Sequence, residues 1–312
     1  MDILIHSLII IGSGPAGQTA AIYAARAMLN PIVIEGNNPG GQLMGTTIVE
    51  NWSGNPSILG PTLMSNMREH AQHFGTQFIA QSVTKVDFSK KPFTIWTDAN
   101  QELKAHCIIV ATGASPLKLG CPGEDKYWGG KGVSVCAVCD GFFYQNKKVL
   151  VIGGGDTAME EASFLKKFTK DVTVIQLMDT LTASHPLKKR ILDDPDITVL
   201  YNSTVTEIKG NGDHVTGAII INNKTGTSST LEAEGIFIAI GLKPNTGILK
   251  GHLALNKYGY LEVTDHTRTS VKGIFAAGDV FDYRYRQAIT AAGSGCMAAL
   301  DAERYLKEQE NS

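Results

Sequence analysis

Short apolar runs and alanine-rich stretches succeed one another along most of the chain, with glycine at many of the joints. Residues 7–11 form an isoleucine-rich run, as in a strand buried on both faces. Residues 18–27 are rich in alanine and predict a helix, and residues 31–34 predict a second strand. Residues 61–74 carry apolar positions at helical spacing. Residues 78–88 and 93–97 predict strands of a small antiparallel sheet, and residues 107–110 another buried strand. The motif then repeats, with a strand at 147–152, a helix running to about residue 168 and a strand at 172–175. Further strands are predicted at 198–201, 215–222 and 235–240, with a hairpin turn at Asn211-Gly212. A strand at 274–277 and an Ala- and Gly-rich helix at 289–306 follow. Strand–helix–strand units of this kind define the α/β class.

The joints carry the chemistry. Between the first strand and its helix lies Gly12-Ser13-Gly14-Pro15-Ala16-Gly17, and the next strand ends in Glu35-Gly36. In such a unit Gly12 permits the tight turn, Gly14 lets the backbone approach a pyrophosphate, and Gly17 lets helix and strand pack closely. The helix N-terminus offers free N–H groups to the phosphates, and Glu35 can accept both ribose hydroxyls. The second unit opens with Gly153-Gly154-Gly155-Asp156-Thr157-Ala158, with Ala158 in the third glycine position, and Gln176 ends its second strand. Gly40-Gly41-Gln42-Leu43 and Glu50-Asn51, read alone, are equally well turn residues. Ala111-Thr112-Gly113 leaves the buried strand at 107–110, where glycine lets a turn pass close to a ligand or simply ends the strand. Gly278-Asp279 and Arg286-Gln287-Ala288 precede the last helix. Asp279 reads as an acceptor for a polyol chain or as a cap. Gly241 ends the strand at 235–240, and Pro244 marks a crossing between domains. Lys188, Lys189 and Arg190 read as a solvated helix face or as cations that fold back to the end of the strand at 172–175.

Cys136-Ala137-Val138-Cys139-Asp140 lies shortly before the second glycine loop. A CxxC pair closes into a small disulfide ring or supplies half of a zinc site. Cys107, Cys121 and Cys296 are scattered singly, and no second CxxC or CxxH pair completes a zinc site. Two dinucleotide units with a CxxC between them imply two nucleotide cofactors passing electrons to a disulfide.

Composition narrows the setting. A chain of 312 residues suggests two domains. The net charge of −2 offers no basic face for nucleic acid or an anionic membrane. Five cysteines cannot all pair within one chain, which argues for a reducing compartment. The apolar run ending at Ile11 is too short for a signal segment or a membrane span, so a cytoplasmic protein is expected.

These motifs, in this order, resemble the low-molecular-weight thioredoxin reductases of the bacterial type. The resemblance rests on residues 12–17, 40–43, 50–51, 111–113, 136–140, 153–158, 278–279 and 286–288. It implies two Rossmann-like dinucleotide-binding domains, a discontinuous FAD domain at 1–117 and 246–312 and an inserted pyridine-nucleotide domain at 118–245. FAD would lie along Gly12, Ser13, Gly14, Pro15, Ala16, Gly17, Glu35, Gly36, Gly40, Gly41, Gln42, Leu43, Asn51 and Val83. Ala111, Thr112, Gly113, Gly278, Asp279, Arg286, Gln287 and Ala288 complete the implied flavin set. The nicotinamide nucleotide, NADPH or NADH, would lie on Gly153, Gly154, Gly155, Asp156, Thr157, Ala158, Gln176 and Gly241. The resemblance makes Cys139 the thiol that faces the flavin, Cys136 the thiol that attacks a thioredoxin-like protein, and Asp140 the acid/base. It also implies a homodimer, and hinges at the two interdomain crossings.

One motif departs from the family. The usual His-Arg-Arg run, with a further arginine four residues on, falls on Gln176-Leu177-Met178 and Thr182. Every phosphate-binding arginine is replaced, which leaves NADH, a dual preference or a non-nicotinamide donor such as ferredoxin open. A non-catalytic flavin redox sensor is the reading from another functional class.

Overall fold

The structure, a computed structural model, describes residues 4–46 and 48–310. The chain divides into two compact units, Met1–Ser115 with Lys243–Ser312, and Pro116–Leu242.

The first unit opens with β1 (Ile5–Ile11), α1 (Pro15–Arg26) and β2 (Ile32–Ile34). β3 (Ile48–Val49) and β4 (Ile58–Leu59) form a small ribbon before α2 (Gly60–His73). β5 (Gln77–Ile79), β6 (Val83–Asp87), β7 (Phe93–Thr97) and β8 (Glu102–Val110) follow. Their sheet order is β5-β2-β1-β8-β7-β6. β1 lies parallel to both β2 and β8, with Ile9 opposite Ile32 and Ile108. Leu8, Ile9, Ile10, Ile108 and Ile109 are fully buried, because the central strands are covered on both faces.

The strand expected over residues 78–88 is in fact two. β5 extends the parallel edge beside β2, whereas β6 pairs antiparallel with β7 at the far end of the same sheet. Polar backbone contacts break the run between them: Gln81 O accepts from Gly36 N, and Ser82 N donates to Asp98. The small antiparallel sheet is therefore an extension of the main one.

The second unit contains α3 (Glu124–Tyr127), β10 (Val133–Ser134), α4 (Ala137–Asp140), β11 (Val149–Ile152), α5 (Asp156–Leu165), β12 (Val172–Ile175), α6 (His185–Leu192) and β13 (Ile197–Leu200). It is entered by β9 (Ala114–Pro116). β14 (Ser203–Gly210), β15 (Val215–Asn222) and β16 (Ser228–Glu232) form an antiparallel sheet. β17 (Gly235–Ile238) completes a parallel sheet of order β10-β17-β11-β12-β13, and β18 (Leu242–Pro244) leaves the unit. α5 ends at Leu165, short of the expected residue 168, where Phe168 N turns back to Leu165 O. The hairpin turn stands as predicted: Gly212 has φ +106° and Asn211 Oδ1 accepts from Asp213 N and His214 N.

The chain then returns to the first unit as β19 (Ile274–Ala276), parallel to β8, and α7 (Ala288–Glu310). α7 crosses α1 so closely that a Cβ on Gly295 would lie 2.1 Å from Ala16 O.

Candidate active site

The first glycine loop is closed behind and open in front. A Cβ on Gly17 would sit 1.9 Å from Gly12 O, so only glycine lets α1 start this near the turn. A Cβ on Gly14 would meet nothing within 4 Å. α1 begins at Pro15 with no side-chain cap on its first N–H groups. Ser13 fixes the loop: its Oγ donates to Glu35 O at 3.1 Å and accepts from Gly40 N at 3.0 Å. This open backbone cradle at a helix N-terminus fits a dinucleotide pyrophosphate.

The other expected flavin residues in this unit gather from distant parts of the chain. Gln42 Nε2 donates to Ala114 O at 2.9 Å and lies 3.5 Å from Asp279 Oδ2. Asn51 Nδ2 donates to Gln287 Oε1 at 3.3 Å. Gly278, at φ +77°, packs on Ala16 and donates to Ser294 Oγ. Burial pushes the Asp279 carboxyl up to about 6, the nearby Asp282 adds to this, and Arg286 opposes it. Val83 opens β6 and packs against the core with Ile79.

Sequence reading missed Arg68 on α2. It pairs with the buried Glu35, and its guanidinium lies 4.1 Å from the Phe78 ring centroid. Arg68 engages Oε1 of Glu35, and a carboxylate with about four lone-pair sites keeps capacity for ribose hydroxyls. Gln81, whose main chain bonds Gly36, carries a buried Oε1 without a partner among the described residues. An acid and an orphaned acceptor where the adenosine ribose belongs also fit FAD.

In the second unit Cys136 and Cys139 are joined as a disulfide, with Cα atoms 5.3 Å apart. Cys136 sits at the N-cap of α4, and its Sγ accepts from Cys139 N at 3.2 Å. Two side chains hold this turn. Ser134 Oγ accepts from Cys136 N at 3.1 Å and donates to Asp140 Oδ2 at 2.5 Å, while Glu161 Oε2 of α5 accepts from Ala137 N at 2.6 Å. Burial pushes the Asp140 carboxyl up, and the Ser134 hydrogen bond opposes it only in part. Burial, reinforced by the charge of Asp140, pushes the Tyr144 hydroxyl up to about 12. Val138, Phe142 and Phe143 are exposed beside the pair. Among the other cysteines, burial pushes the thiols of Cys107 and Cys121 up, which makes them poor nucleophiles.

The second glycine loop differs from the first. Gly153 backs against Ala239 O as expected, but a Cβ on Gly154 would run 2.3 Å into the side chain of Gln176. Gln176 is buried and its Nε2 donates to Thr180 O at 2.6 Å. The segment that follows folds onto the loop: Thr182 N and Ala183 N both donate to Gly154 O, and Ser184 N donates to Asp156 Oδ1. Leu177 and Met178 are exposed. Gly241, at φ +109°, lies beyond β17 beside Leu117.

A family model described as pyridine nucleotide-disulphide oxidoreductase matches residues 6–295. The chain belongs to that family and is an FAD-dependent disulfide oxidoreductase that uses NAD(P)H. It is 50% identical over 305 residues to a thioredoxin reductase of Streptomyces clavuligerus, covering 97% of this chain and 94% of the relative. It is 48% identical over 317 residues to a Pseudomonas fluorescens protein named glucosaminate ammonia-lyase, covering 98% of each. The solved thioredoxin reductase from Giardia duodenalis superimposes with a TM-score of 0.93 at 43% identity, covering 97% of this chain and all of that one. Among the described residues, no helix is long and apolar enough to cross a membrane.

Proposed function

We propose that this protein is a thioredoxin-disulfide reductase in which electrons pass from NAD(P)H through FAD to Cys136–Cys139 and on to a thioredoxin-like protein. The observation that carries this is the closed Cys136–Cys139 ring beside Asp140, whose carboxyl burial pushes up, with exposed Val138, Phe142 and Phe143 as an apolar seat for a protein partner. A lyase would leave that ring without a task.

FAD supplies two-electron chemistry, accepting a hydride equivalent and delivering an electron pair to the disulfide. Once the pair is reduced, the Cys136 thiolate attacks a sulfur of the partner disulfide. One partner thiolate leaves and takes a proton, which Asp140 is placed to deliver. Cys139 then attacks the Cys136 sulfur, the second partner thiolate leaves and is protonated, and the Cys136–Cys139 bond is restored. The chain ends oxidised and the partner gains two electrons and two protons. Anaerobic titration should consume about two electrons for flavin and about two for the disulfide, both passed on to thioredoxin. Consumption of two electrons with none transferred would leave the sensor reading instead.

Gly12, Gly14 and Gly17 would hold the pyrophosphate, Glu35 with Arg68 the ribose, and Gln42, Asp279, Asn51 and Gln287 the remainder of FAD. Arg68→Ala should weaken FAD binding about tenfold by fluorescence titration of the apoprotein, since hydrogen bonds to charged groups contribute about 1.5–3 kcal/mol. Asp279 adds a pH signature. A hydroxyl donated to its carboxylate lowers the carboxyl from about 6, so binding displaces a proton at low pH. Flavin affinity should be full above pH 6 and fall as pH drops through it; a flat profile between pH 5 and 7 would refute the role, given the apo value of about 6.

The nicotinamide nucleotide would lie on residues 153–158 and Gln176, and NADH serves at least as well as NADPH because positions 177, 178 and 182 after β12 carry no arginine. The ratio of KM values for the two measures this. If only a low-potential protein donor bleaches the flavin, the nucleotide assignment fails.

The chain forms a homodimer through α1 and α7, where Tyr23, Ile289, Met297 and Leu300 are exposed. Light scattering on the full chain should give twice the 33.5 kDa chain mass. The free thiols of Cys107, Cys121 and Cys296 suit a cytoplasmic setting, which cell fractionation tests.

A further inference from the structure

The end of β12 runs Gln176-Leu177-Met178-Asp179, without a cation. A cation reaches this corner from another element. Asn202 N donates to Met178 O at 2.9 Å, and Asn223 N donates to Asn202 O at 2.6 Å. These two bonds in series lay the turn between β15 and β16 against the end of β12. The turn is itself fixed, because Asn222 Oδ1 accepts from Lys224 N and Thr225 N. Lys224 Nζ is thereby held 3.3 Å from Asp179 Oδ2, with both side chains 62% exposed.

In a dinucleotide unit this corner receives the adenosine ribose and, in a phosphorylated nucleotide, its 2′-phosphate. We propose that Lys224 and Asp179 together set the preference of this chain between NADH and NADPH. Lys224 is the cation that pairs with a 2′-phosphate, and Asp179 is the counter-charge that occupies it and repels the phosphate. An exposed pair contributes only about 0–1 kcal/mol, so it opens readily when a stronger anion arrives. Lys224 lies forty-eight positions beyond Gln176, so the arginine motif at the strand end gives no hint of it. With Asp179 in place, NADPH is accepted without being favoured. The inference rests on the reading that a nicotinamide dinucleotide occupies the second glycine loop.

The test uses the flavin-loaded full chain and two probes, adenosine 2′,5′-bisphosphate and adenosine 5′-monophosphate, with affinities measured by calorimetry. Asp179→Asn should shift the affinity ratio toward the bisphosphate by about fivefold or more, and Lys224→Met should shift it by as much the other way. Both residues are exposed, so neither substitution disturbs the core, and the KM ratio for NADPH and NADH should move in parallel. If both probes bind and the ratio stays within about twofold in both variants, the inference is overturned while the nucleotide assignment stands. If neither probe binds the unsubstituted protein, the assignment falls and takes the inference with it.

Discussion

Cys139→Ser abolishes reduction of thioredoxin-like proteins, by at least about a thousandfold, while NAD(P)H still bleaches the flavin. The expectation follows from the division of labour between the two sulfurs. With serine at 139 no ring can form, so a Cys136 thiolate that attacks the partner remains joined to it. The predicted product is a stable mixed disulfide carrying one partner molecule per chain, visible by mass spectrometry and released by dithiothreitol. Cys136→Ser should abolish turnover equally but trap nothing. Turnover retained in Cys139→Ser, or trapping by the wrong variant, would reverse or remove the assigned roles.

The second large effect is at Asp140. Replacing it with asparagine should lower turnover with thioredoxin by about a hundredfold or more, the scale of a positioned general acid. The pH profile distinguishes a proton donor from a structural group. Burial raises the Asp140 carboxyl above its ordinary range, so the protonated form persists to higher pH than in a free aspartate. Turnover carried by that proton declines as pH rises through the raised value, and Asp140→Asn should lose this alkaline limb. Asparagine keeps an oxygen for the Ser134 hydroxyl, so the turn is preserved. A uniform loss at every pH would point to altered packing instead.

The chemistry of both sites was legible in the sequence because its signals are local. A tight turn, a helix start and a strand-end acid sit within one stretch of about twenty residues, and the CxxC spacing alone allows the ring. The residues that support those signals were not legible. Arg68 reaches Glu35 from thirty-three positions away, and Glu161 reaches the CxxC turn from the next helix. Ser134 was close in sequence, but a serine two residues before a cysteine carries no signal of its own. In the fold, the break at 80–82 was hidden because Phe78 and Ile79 join the run of Val83 and Val86 into one β-prone stretch. β14 was hidden because register shifts between Val205 and Glu207 interrupt its alternation, and β16 because its residues are almost wholly exposed.

The contrast between Gly14 and Gly154 bears on how long each guest stays. The first cradle is open at its front, so its occupant settles without displacing a side chain: a tenant. At the second, the amide of Gln176 lies across the doorway, and any visitor must turn it aside to enter and yields to it on leaving. A latch of that kind shortens residence, which suits a molecule that must be exchanged in every cycle.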